Sequence, residues 1–362
     1  MLGGVTLNPS EISKKEVSTT GNVVTMLAGL WLIVGIFIDG WAHSNPELVE
    51  LETFFTPWHG VLYSGFLASA LWIGWLIARN FKEDRSIVEA IPRGYGLGLI
   101  GVFIFFLGGV GDMTWHIIFG IEENLEQLLS PTHLMLFIGA LLILTCPFRA
   151  MWESNDPALQ HPTLKQFLPA LLSLTFAASL CGFFLMYLWA LGLKNATKLS
   201  YDYFHSNFSA NQMWIYEVAT QEKGVANFLI TTFLFIIPLF IMMIRWRIPF
   251  GSITILFTLL STLMGALDGF SNYEGIIAGA VTGFITDLLV KSYKITRDRR
   301  VALRVLSFII PVVMFSIFFF LQHMMFGIAW SPDLWAGVLV LSGLAAVGVS
   351  LIAFPPAYPN NN

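Results

Sequence analysis

Charge is scarce in this chain. Only 12% of its 362 residues are charged, while 56% are hydrophobic; soluble domains carry about 25% charge. That balance excludes an ordinary soluble domain and points to a polytopic membrane protein. Cysteine is nearly missing, with Cys146 and Cys181 the whole complement, both inside apolar stretches. Two such residues make neither a disulfide framework nor a thiolate metal site. No Walker loop, GxSxG elbow or nucleic-acid motif occurs. A cleavable signal peptide is also not expected, because the polar start with Lys14 and Lys15 runs directly into a full-length apolar span.

Long apolar runs are plentiful. A span needs about 20 such residues, and ten runs qualify: about 22–43, 57–79, 93–119, 131–149, 164–193, 223–244, 250–270, 273–290, 301–325 and 333–354. The expected fold is an all-α polytopic helix bundle of ten transmembrane helices in five helical hairpins. Lys and Arg set its orientation. With the N-terminus in the cytoplasm, 16 of the 19 fall on the cytoplasmic side, and only Lys194, Lys198 and Lys223 lie outside. Both termini are then cytoplasmic, and the protein is a multi-pass component of the cell membrane. The chain divides into a cytoplasmic segment 1–21, two hairpins over 22–149, three over 150–354 and a tail at 355–362. KSYKITRDRR, residues 291–300, is a positive-inside determinant that also suits anionic lipid. His161 lies in a cytoplasmic loop and has no assigned role.

Seven histidines are present, and four fall into one scheme. DGWAHSNPELVELETFFTPWHG (residues 39–60) and GDMTWHIIFGIEENLEQLLSPTHL (111–134) share a layout: an Asp, a His four later, acids, a Pro and a second His. Asp39 and Asp112 are 73 residues apart, one hairpin, so the repeat is direct. Weaker echoes occur in LDGFSNYEG and SPDLWAG. Asp39 with His43, and Asp112 with His116, share a helix face at i, i+4. Thr56-Pro57 and Ser130-Pro131 read as N-cap and first helical residue, which puts His59 and His133 at the third position. In an antiparallel hairpin His43 then approaches His59, and His116 approaches His133. Four imidazoles and two carboxylates converge if the hairpins pack side by side.

Nitrogen and oxygen donors without thiolate suit copper, zinc, iron or manganese. The candidate metal ligands are Asp39, His43, His59, Asp112, His116 and His133. Histidine beside tryptophan at a bilayer boundary also serves as an interfacial anchor, Asp–His pairs also serve as capping hydrogen bonds, and the same set also suits a metal-free proton relay. Trp41, Trp58 and Trp115 fit an aromatic belt. Accessory candidates are Glu50 and Glu123, each seven residues after the first His of its unit, in acidic stretches that read as outer amphipathic helices. Asp268, Glu274, His323 and Asp333 are further candidates for the same outer vestibule.

The Asp-x3-His followed by a distant His resembles the metal site in the C subunit of the copper membrane monooxygenases. The resemblance covers these residues alone, in two copies, and the second gap is 16 or 17 residues. It implies copper as the favoured metal and Asp39, His43 and His59, with their second-copy counterparts, as ligands. DGWAH, FFTPWHG and SPTHL also resemble phrases of uncharacterised multi-span prokaryotic membrane proteins, which brings no activity with it. The expected function is an integral membrane metal-binding protein with an outward-facing site, mono- or dinuclear, acting as an oxidoreductase or hydroxylase on a small or lipophilic substrate. Copper or zinc transport, delivery or assembly is the alternative, and a structural or sensory role is the second. The lipid bilayer, a metal ion and membrane partner subunits are the expected partners, with no nucleic acid.

Overall fold

A computed structural model describes residues 15–45, 54–82, 86–120 and 125–356. These residues are overwhelmingly helical, and no strand occurs among them. The helices of the first half are α1 (Thr19–Ser44), α2 (Pro57–Ala78), the short α3 (Ile87–Ala90), α4 (Gly96–Phe119), the short α5 (Glu126–Leu129), α6 (Pro131–Leu144), α7 (Cys146–Glu153) and α8 (Leu164–Phe184). Those of the second half are α9 (Lys198–Asn207), the single turn α10 (Trp214–Tyr216), α11 (Lys223–Arg245), α12 (Ser252–Ala266), α13 (Tyr273–Ser292), α14 (Arg300–Phe326) and α15 (Pro332–Ala353).

Eight helices among the described residues are long and apolar enough to cross a membrane, and a ninth crossing results if α6 and α7, bent by 43°, count together. The ten expected spans each contain a helix, but not ten straight full-length ones. Pro147 lies in the first turn of α7. It offers no N–H and crowds the carbonyl four residues back, so the helix breaks at Thr145. The run expected over 250–270 yields only the 15-residue α12, about 22 Å long. It ends in a turn where Gly269 and Phe270 both have positive φ, 63° and 64°, which no right-handed helix allows. The run over 164–193 leaves its helix at Phe184 and continues in two 3-10 turns, Met186–Leu188 and Ala190–Gly192. Their backbone is satisfied by neighbouring side chains: Thr231 accepts from Ala190 N at 2.8 Å, and Gln322 donates to Leu193 O at 2.9 Å. Such irregular backbone survives at membrane depth only when it is buried in protein.

α1 lies against α2, α4 against α6, α12 against α13 and α14 against α15, while α8 touches α1, α6, α11 and α12. The first two pairs close on glycine. A Cβ on Gly35 would stand 2.6 Å from Leu62 Cα, and one on Gly65 would stand 2.7 Å from Leu32 N. In the second pair, Gly108 meets Leu136 N at 3.1 Å and Gly139 meets Phe105 N at 2.6 Å. Small residues at such crossings let backbones approach, the usual route to tight packing in lipid. Here they bring the end of one helix and the start of the next to the same depth.

Candidate metal centre

The helix termini form as their sequences dictate. Thr56 caps α2, its hydroxyl accepting from His59 N at 3.2 Å, with Pro57 at the first position. Ser130 caps α6 in the same way, accepting from His133 N at 3.4 Å, with Pro131 behind it. Each cap fixes a histidine at the third position, facing the last turns of α1 and α4.

All six predicted ligands come together. In the first hairpin, Asp39 Oδ1 lies 3.5 Å from His59 Nε2, and Asp39 Oδ2 lies 4.0 Å from His43 Nε2. In the second, Asp112 Oδ1 lies 3.5 Å from His116 Nε2 and 3.2 Å from His133 Nε2. The imidazoles form a continuous series: His43 to His59 at 5.6 Å between ring centres, His59 to His116 at 6.0 Å, and His116 to His133 at 6.0 Å. His43 also stacks on His116 at 6.4 Å, with planes 20° apart. The site is buried at its centre, with the Asp112 and His116 side chains only 1% and 2% exposed, whereas that of His133 is 19% exposed.

The grouping differs from the expected one. Ligand atoms of Asp39, His43 and His59 lie within 4.8 Å of one another, and so do those of His59, Asp112 and His116. The second threesome crosses from one hairpin to the other, and His59 belongs to both. Two donors about 2 Å from one ion are at most about 4 Å apart, so either threesome closes on an ion with shifts of about an ångström.

Hydrogen bonds decide which atoms face inward. His59 Nδ1 lies 2.6 Å from the Phe54 carbonyl oxygen. A carbonyl only accepts, so Nδ1 carries the proton and donates. His59 Nε2 of a neutral ring then points a lone pair at Asp39 Oδ1. That oxygen is buried and receives no hydrogen bond among the described residues, and neither does buried His43 Nδ1. Two acceptors facing each other at 3.5 Å out of water repel unless a cation, proton or metal, lies between them.

Asp112 is held differently. The Tyr63 hydroxyl donates to its Oδ2 at 3.2 Å, and the Thr132 hydroxyl donates to its Oδ1 at 3.5 Å. Neither donor was expected from the motif. Tyr63 was discoverable, because it stands four residues after His59 and therefore on the same helix face. Its counterpart four residues after His133 is Phe137, so the two hairpins are chemically unequal at this position.

Asp39, His43, His59, Asp112, His133 and Tyr63 border a cavity of about 70 Å³, room for a few waters at 10–15 Å³ each. Apart from Ser44, the rest of its wall is apolar, with Phe105 and Phe137 joined by Leu180, Phe183 and Phe184 from α8 and its end. Trp41, Trp58 and Trp115 are half-buried and do not border the cavity. Asp268, Glu274, His323 and Asp333 do not border the cavity either. Asp268 accepts from Ser271 N and from Asn272 within its own turn. Glu274 is fully buried at the start of α13, and His323 and Asp333 are exposed. Glu50 and Glu123 lie outside the described residues, as do 46–53 and 121–124, while the end of the second acidic stretch forms the short helix α5, Glu126–Leu129. The chain matches no family model, no curated protein and no solved structure.

Proposed function

We propose that this protein holds a transition-metal centre within the membrane, with Asp39, His43, His59, Asp112, His116 and His133 as its ligand set and His59 shared between two positions. The observation that carries this reading is His59 Nε2 facing the undonated Asp39 Oδ1 at 3.5 Å. The donor set is imidazole and carboxylate, which suits copper, zinc or iron, and we favour copper. Tyr63 and Thr132 orient Asp112, and the Phe54 carbonyl sets the tautomer of His59, the outer support that metal-binding imidazoles ordinarily have.

The matching glycine contacts in the α1–α2 and α4–α6 pairs support a duplicated hairpin as the origin of the site. The Lys and Arg distribution supports cytoplasmic termini and a site facing the other side. The small cavity with its phenylalanine wall supports a metal-dependent oxidoreductase acting on a small or lipophilic substrate. The bound metal would supply redox or Lewis-acid chemistry, while the protein excludes water and holds protons on Tyr63 and the imidazoles. Delivery of copper or zinc to a membrane partner is the second reading, favoured by the exposure of His133. Transport across the bilayer is disfavoured by the mid-membrane hydroxyls. Ser173 donates to Leu144 O, Thr175 to Leu171 O and Thr262 to Thr258 O, and Asp287 is engaged by the start of α12.

Elemental mass spectrometry of the purified protein tests the centre, with His43→Ala/His116→Ala alongside. Stoichiometric copper, zinc or iron in the parent and its loss in the variant are expected. A parent without metal after incubation with each ion would remove the proposal, and metal retained by the variant would remove the ligand assignment.

A further inference from the structure

The end of the bundle away from the histidines carries a second, larger cavity. α8 connects the two ends: Gln160 and His161, just before it, border the larger cavity, while Phe183 and Phe184 at its finish border the histidine cavity. Twenty-one residues of helix separate them, about 32 Å. The larger cavity measures about 520 Å³, within the usual size range of ligand sites. It opens between the α11–α12 connection and the α13–α14 connection.

Five cations border it: Arg245, Arg247, Lys291, Lys294 and Arg297. Two carboxylates also border it, and both are engaged. Asp287 is buried and accepts from Thr254 N at 2.8 Å, Ile253 N at 3.4 Å and the Thr254 hydroxyl at 2.6 Å. Asp298 sits 3.9 Å from Arg297 in an exposed pair, which is worth little. The cations are fixed largely by neutral groups. Arg245 donates to the Trp152 and Ser154 carbonyls at 3.2 and 3.1 Å, and Arg297 donates to Ile244 O at 2.7 Å. Lys291 Nζ lies 5.0 Å over the Phe250 ring. Carbonyls and rings position these charges without cancelling them. Lys294 also holds a left-handed conformation, φ 49°, one that L-residues other than glycine and asparagine seldom adopt. Behind the charges the wall is apolar, with Trp246, Ile248, Val290 and Ile295.

A solvated face of positive-inside residues would be convex and wet. This one is concave, with convergent cations in front of an apolar wall at the end of apolar helices. We propose that the cleft binds a phosphate-bearing anion, supplied by the headgroup of an anionic phospholipid. The phosphate lies among Arg247, Lys294 and Arg297, and the glycerol and first methylenes lie on the apolar wall. Basic pockets between helices at the membrane surface recognise lipid headgroups by this chemistry. The assignment is independent of the metal centre.

Native mass spectrometry of the full chain tests it, after equilibration with vesicles of phosphatidylglycerol or of phosphatidylcholine. The comparison variant is Arg247→Gln/Lys294→Gln, whose side chains are exposed and make no hydrogen bond among the described residues, so folding is expected to persist. Lys198→Gln/Lys223→Gln, near the other end, is the control. The parent is expected to retain phosphatidylglycerol over phosphatidylcholine, and the cleft variant to lose that preference by on the order of ten-fold while the control keeps it. Equal retention of the two lipids by the parent, or an unchanged preference in the cleft variant, overturns the proposal. A separate arm measures thermal protection by inorganic phosphate and glycerol phosphate. Protection of the parent but not of the cleft variant by these soluble anions, with no lipid preference, retains the phosphate chemistry and overturns the lipid source.

Discussion

His59 is the residue on which the two halves of the site depend. It lies within 4.8 Å of ligand atoms on both sides, whereas His133 belongs to neither threesome and meets the carboxylates at Asp112, 3.2 Å away. His59→Ala is therefore expected to reduce bound metal to background, and His133→Ala to leave most of it, as read by metal-to-protein ratio after gel filtration. Equal losses would show that no ligand is shared. Tyr63 acts one step further out. Tyr63→Phe keeps the ring and removes the donor to Asp112 Oδ2, which leaves a buried acceptor short of a partner. A loss of about 1 kcal/mol is expected, the ordinary worth of such bonds in membranes. Metal should stay bound with an altered spectrum. An unchanged spectrum and stability would show that the hydroxyl at 3.2 Å does no orienting. The motif exposed the six ligand candidates because Asp-x3-His and Thr/Ser-Pro-x-His impose a face and a cap. It did not include Tyr63 or Thr132: Tyr63 shares the His59 face at i+4, but a tyrosine or threonine on an apolar helix is marked as a donor only once a carboxylate is placed beside it.

At the scale of elements, the site depends on how closely paired helices approach. Gly35 faces the Leu62 backbone, and a Cβ there would stand 2.6 Å from Leu62 Cα. Backbone cannot rotate aside as a side chain does, so Gly35→Leu must push α1 from α2 and separate Asp39 from His59. A cost of at least ~3 kcal/mol is expected, with metal lost in the fraction that still folds. Gly60 is the contrast, because nothing lies within 4 Å of a Cβ added there. Gly60→Ala, one residue from His59, should unfold within ~1 kcal/mol of the parent, on the stable side from helix propensity, and keep its metal. Thermal unfolding by circular dichroism, with metal content, separates the two. If Gly60→Ala behaves as badly as Gly35→Leu, close helix approach is not what positions the ligands. Caps were legible here, since Thr56-Pro57 and Ser130-Pro131 each combine an acceptor with a residue that needs no donor. The break at Thr145 had a signal in Pro147 that hydropathy passes over, and the early end of α12 was hidden because an apolar run reads the same whether its helix is long or short.

Across the whole molecule, apolar composition made the helical membrane class readable, and charge made its two ends distinguishable. What sequence did not reveal is that the two hairpins would share His59, because register between hairpins is set by side-chain packing that no local pattern encodes. The orientation can be tested directly. Lys198 N donates to Gly327 O at 3.1 Å, which places Lys198 at the finish of α14; Lys294 lies six residues before that helix starts at Arg300. α14 is 27 residues long, about 40 Å, and exceeds the ~30 Å apolar core of a bilayer. The two lysines therefore emerge on opposite sides of any membrane the bundle spans. By the spans expected from sequence, 16 of 19 Lys and Arg fall on the side of Lys294, and the positive-inside rule then makes that side the cytoplasmic one in the orientation we propose. In a background lacking Cys146 and Cys181, Lys198→Cys is expected to react with a membrane-impermeant maleimide in intact cells, and Lys294→Cys only in inverted vesicles. The opposite pattern would put the histidine cavity on the cytoplasmic face and overturn the outward-facing site that we propose.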